Sequence, residues 1–92
     1  MQITVIYTTQ LKSELGLGQE TIDVPAPCSV SQLVEQLAAK HQLAFSRLAV
    51  DSDGKLLPSI MLCLNDKQIV AAEDQQLRDG DALTFLSAIS GG

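Results

Sequence analysis

Few residues of this 92-residue chain combine the side chains and the spacing that chemistry requires. Cys28 and Cys63 are widely separated, and neither has a Lys, Arg or His beside it to stabilise a thiolate, so both read as reduced structural thiols. Cys28 directly precedes a helix-opening Ser29 and suits a hydrophobic staple to Leu33, while Cys63 lies inside an apolar run. The single histidine, His41, falls at the end of the same helix, where it favours the last carbonyls, and no second ligand accompanies it for a metal. Asp51 with Asp53, and Asp79 with Asp81, flank or adjoin a glycine; their spacing is that of turns and not of a calcium loop. Gly16-Leu17-Gly18 lacks the third glycine of a phosphate cradle, no Gly-Lys-Ser/Thr occurs, and one peripheral histidine builds no Ser-His-Asp triad.

What remains is the end of the sequence, Leu86-Ser87-Ala88-Ile89-Ser90-Gly91-Gly92, which carries no turn signal that would fold it back. It is expected to project. Gly91 and Gly92 lack Cβ atoms, so such an end can enter a channel closed to other residues and bring its α-carboxylate to a reacting centre. Extended, Ala88 to Gly92 spans at most about 16–18 Å. The competing reading is a frayed tail without function.

These residues need a scaffold, and the sequence supplies one. Ile3, Val5 and Tyr7 alternate with Thr4, Ile6 and Thr8, the period of a strand with one buried side. Leu11 and Leu15 allow a short helical turn before Gly16, and Thr21 to Val24 predicts a second strand, antiparallel to the first, that stops at Pro25. Ser29-Val30-Ser31-Gln32 has the spacing of a capping box, and Val30, Leu33, Val34, Leu37 and Ala38 then draw one apolar stripe. Burying its four large side chains contributes about 6–12 kcal/mol before chain entropy is subtracted. From Ala44 to Ser59 the pattern weakens to a short turn around Phe45 and Leu48 and a tight turn at Asp51-Ser52-Asp53-Gly54. Ile60 to Leu64 predicts a strand covered on both faces, with a hairpin through Asn65-Asp66 to Val70. Leu77-Arg78-Asp79-Gly80-Asp81 then turns into a last strand, Ala82 to Leu86. Two strands, one long helix and further strands leave no room for βαβ repeats, and imply an α+β mixed sheet with one main helix packed across it.

Composition narrows the function classes. With 46% hydrophobic residues the chain supports one domain. Eleven acids against six scattered bases, a net charge of −5, disfavour a nucleic-acid partner. No run approaches the ~18 apolar residues of a bilayer span, and no basic segment leads an apolar stretch at Met1, so no membrane role and a cytoplasmic location are expected. Glu73, Asp74, Asp79 and Asp81, gathered before the last strand, are expected to steer the domain toward a basic partner surface.

The alternating first strand, Cys28-Ser29-Val30 opening the helix, Asn65 after an apolar strand, Leu77-Arg78-Asp79-Gly80-Asp81 and the terminal Gly91-Gly92 together resemble the ubiquitin-like β-grasp sulfur carriers (the MoaD/ThiS family) over nearly the whole chain. The likeness is greatest to small subunits of molybdopterin synthase. Many of those carry Pro-Pro where Ser87-Ala88 stands here, and the Asp51 to Leu57 connection is not diagnostic.

The resemblance implies a β-grasp domain over residues 1–86 and a tail over 87–92, with no cofactor bound by the chain alone. It implies that a ubiquitin-activating-type adenylyltransferase uses ATP to convert Gly92 to an acyl-adenylate. Sulfur from a persulfide donor then replaces AMP to leave a thiocarboxylate. Gly91 and Ser90 would thread the channel of the molybdopterin synthase large subunit, where the sulfur passes to a cyclic pyranopterin precursor. Leu86, on the outward face of its strand, and Ile89, on the tail, are the expected partner anchors. The thiamine-thiazole sulfur carriers, ubiquitin-like modifiers that join lysines, and a β-grasp interaction module are the alternatives.

Overall fold

The computed structural model describes residues 1–70 and 73–87. The elements run β1 (Gln2–Tyr7), α1 (Thr9–Leu15), β2 (Gln19–Asp23), α2 (Val30–His41), α3 (Leu43–Ala49), β3 (Ile60–Leu64), β4 (Lys67–Ile69) and β5 (Ala82–Ser87). The five strands form one sheet in the order β2-β1-β5-β3-β4, so the last strand lies at its centre. β5 runs parallel to β1 and antiparallel to β3. This mixed sheet with one long helix is the α+β arrangement expected of a β-grasp domain.

Alternation decides which side chains fill the core. Ile3, Val5 and Tyr7 of β1, Leu62 of β3, and Leu83 and Phe85 of β5 are buried together with Val30, Leu33, Val34 and Leu37 of α2. α2 starts where the spacing predicts: Ser29 Oγ accepts from Gln32 N at 3.3 Å, and Gln32 Oε1 accepts from Ser29 N at 2.8 Å. Cys28 and Leu33, the two ends of the expected staple, are both buried in this core.

Three expectations need correction. The second strand begins at Gln19 and ends at Asp23, with Val24 buried just beyond it. The stretch around Phe45 is a helix, α3, because Phe45 and Ala49, four apart, both reach the core. β3 is not covered on both faces: its burial alternates, and Met61 is 38% exposed on the side away from α2. An apolar run hides alternation when the open face carries Met61 and Cys63 instead of polar residues.

Candidate functional site

The first half of β5 is pinned by polar groups. Asp81 accepts from Arg78 N at 2.8 Å and from Asn65 Nδ2 at 3.1 Å, while Asn65 Oδ1 accepts from Ala82 N at 3.0 Å. Asn65 takes this place in a left-handed conformation, φ 58°. Asp79 Oδ1 accepts from Gln2 N at 2.7 Å, and Gly80 N, at φ 88°, donates to Gln2 O at 2.8 Å. The Asp79-Gly80-Asp81 turn thus ties the start of β5 to β1 and to the β3–β4 turn. Its acids serve turn chemistry, Asp79 exposed and Asp81 half-buried.

Past this anchor the strand divides its side chains. Leu83 and Phe85 are fully buried, and the Phe85 ring lies 6.0 Å from Tyr7 and 5.7 Å, edge-on, from Phe45. Thr84 and Leu86 face outward, opposite Cys63 and Met61 of β3, and Leu86 is half-buried. Thr8 Oγ1 donates to Phe85 O at 2.9 Å, securing the backbone where β1 ends. Ser87, still in register with Ile60, is the last described residue. The strand is therefore held through residue 87 at the centre of the sheet. Ile89, Ser90, Gly91 and Gly92 lie outside the described residues.

A second cluster was not legible in the sequence. Glu20 of β2 accepts from Tyr7 Oη, from Lys40 Nζ at 2.7 Å, and lies 2.6 Å from His41 Nε2. His41 Nε2 thus meets a carboxylate and not the helix's terminal carbonyls. Burial by itself would raise the Glu20 carboxyl, but the hydrogen bonds from Lys40, Tyr7 and His41 outweigh it and hold the group at about 2. Burial, and then the Glu20 carboxylate, push the Tyr7 phenol up. The signal available was Glu20 itself, two residues before Ile22 and so on the strand's inward face. Its donors come from distant positions that only the fold assembles.

Cys28 is buried and Cys63 half-buried. Burial, followed by the charge of Asp74, raises the Cys28 thiol, and both cysteines are free. Among the described residues no group of three His, Cys, Asp or Glu side chains could hold a metal ion, and no helix is long and apolar enough to cross a membrane.

Comparison with known proteins agrees with this geometry. The ThiS family matches residues 5–92. The molybdopterin synthase sulfur carrier subunit of Chlamydomonas reinhardtii is 25% identical over 92 residues, covering all of both chains. Among solved structures, SAMP1 from Haloferax volcanii superposes with a TM-score of 0.85 at 22% identity, covering 100% of each chain. Urm1 from Trypanosoma brucei superposes with a TM-score of 0.79 at 26% identity, covering 99% of this chain and 95% of its own. With a mixed sheet centred on β5 and a family match that runs from residue 5 to residue 92, the chain belongs to the ThiS family, the ubiquitin-like β-grasp sulfur carriers.

Proposed function

We infer that this chain carries sulfur on its C-terminal Gly92 for molybdopterin formation. The observation that carries this reading is the family match running through Ser90-Gly91-Gly92. The relative named as a molybdopterin synthase sulfur carrier subunit, matched over its full length, favours the pterin over the thiazole pathway.

An α-carboxylate with a pKa of about 3.3–3.7 is ionised at neutral pH and is a poor electrophile, so Gly92 requires activation. A ubiquitin-activating-type adenylyltransferase uses ATP to form the acyl-adenylate, the outer sulfur of a persulfide donor displaces AMP to give an acyl disulfide, and a thiol attacking the donor's sulfur releases the thiocarboxylate as the donor leaves in a disulfide. The chain's own part is to present the tail. The polar anchor at Asp79 to Asp81 and the Thr8 contact to Phe85 fix β5, the strand that directly precedes the tail in sequence. Leu86, with Met61 opposite it, offers apolar surface to the large synthase subunit, and Ile89 is the second proposed contact. The two free cysteines suit a cytoplasmic setting.

Intact-mass analysis after incubation with ATP, the activating enzyme and a sulfur source tests the reading. Replacement of one oxygen by sulfur is expected, with no such change in a chain lacking Gly91 and Gly92. Loading that persists in the shortened chain would overturn it, and copurification with a thiazole synthase in place of a large synthase subunit would redirect the pathway.

A further inference from the structure

A groove of about 560 Å³ opens between the N-terminal half of α2 and the turn that follows α3. It lies on the α2 side of the sheet, whereas Leu86 faces away from α2. Its floor includes Val34 and Leu56, and three carboxylates stand around it, Glu35, Asp53 and Asp74, against one cation, Lys55. Each acid is held on a defined support. Asp74 accepts from Ser31 N at 2.8 Å through Oδ1 and from Ser31 Oγ at 2.9 Å through Oδ2. These bonds, the backbone one foremost, keep its carboxyl below the usual range, and each oxygen retains further acceptor capacity. Glu35 is one helical turn beyond Ser31 on the same face of α2. Asp53 rides on a turn built by Asp51, whose Oδ1 accepts from Asp53 N at 2.9 Å and Lys55 N at 3.0 Å.

The ion pairs among the described residues join Met1 to Asp23, Lys40 and His41 to Glu20, and Arg47 to Glu14. None neutralises Glu35, Asp53 or Asp74. An apolar floor ringed by three carboxylates against the single cation Lys55 is complementary to one kind of occupant, a side-chain pattern of Arg or Lys flanking an apolar residue. We propose that this groove docks a basic, amphipathic segment of a partner protein, with its apolar side chain over Val34 and Leu56 and its cations among Glu35, Asp53 and Asp74. Because the groove and the Leu86 face lie on opposite sides of the sheet, both can be occupied at once. Nothing in the proposal depends on chemistry at Gly92.

The test is a titration of the ¹⁵N-labelled full chain with a capped peptide of alternating arginine and leucine, beside a control with glutamate in place of arginine. Saturable shifts are expected at Ser31 to Glu35, Asp53 to Leu56 and Asp74, with none from the acidic control. The variant Glu35→Gln with Asp53→Asn, both exposed positions, should bind the basic peptide roughly three- to tenfold more weakly, since exposed charge pairs each contribute little. Equal affinity of the variant, shifts centred on Met61 and Leu86, or no saturable shift at millimolar peptide would each overturn the proposal.

Discussion

The two faces of the sheet are built from the same strands yet carry opposite assignments. On the inner face Ile3, Val5, Tyr7, Leu62, Leu83 and Phe85 are sealed against the helices. On the outer face their immediate neighbours, Thr4, Ile6, Cys63, Thr84 and Leu86, are only partly covered, and Met61 is more open still. A shift of one residue along a strand therefore separates a group needed for folding from one free for a partner. The partly apolar outer face lies on both sides of β5, the strand nearest the C-terminus.

Substitutions on the inner face should break the fold. Phe85→Ala removes a fully buried ring that contacts Tyr7 and Phe45, and should cost about 3–5 kcal/mol in denaturant unfolding. That is a large part of the roughly 5–15 kcal/mol typical of a domain. On the outer face, Leu86→Asp should change stability by less than about 1 kcal/mol. Binding to the large synthase subunit should fall at least tenfold, read by titration calorimetry. Loss of folding in that variant would erase the distinction between the faces.

Glu20 sharpens the comparison at the inner edge. Its carboxyl is lowered from 4.5 to about 2 in the fold, so the stability it lends is present above its unfolded value and is lost as pH falls from about 4.5 toward 2. Glu20→Gln should flatten this acid limb in a pH series of thermal melts, leaving the remaining limb to other carboxylates. Ser29→Ala is expected to have the smallest effect, about 1 kcal/mol, through loss of one half of the α2 capping box.

How far the sequence was readable follows the range of the interactions. α2 was legible because its capping box and apolar stripe are local, and β1 because polar and apolar residues alternate. α3 was obscured: Gln42 at its start makes no side-chain cap, and only Phe45 and Ala49 mark its buried side. β3 was misread because its open face is itself apolar. The Glu20 cluster and the acidic groove join residues from distant elements, so no local pattern announces them. The glycine pair at the end was visible as a motif because it is contiguous in the sequence.

Methyl NMR of the chain titrated with the large synthase subunit tests the division between faces most directly. The account predicts that the Met61, Leu86 and Ile6 methyls shift or broaden strongly, while those of Leu37, Leu62 and Leu83 stay close to their free positions. Strong changes confined to the inner set, or an outer set left unmoved by a subunit that demonstrably binds, would contradict it.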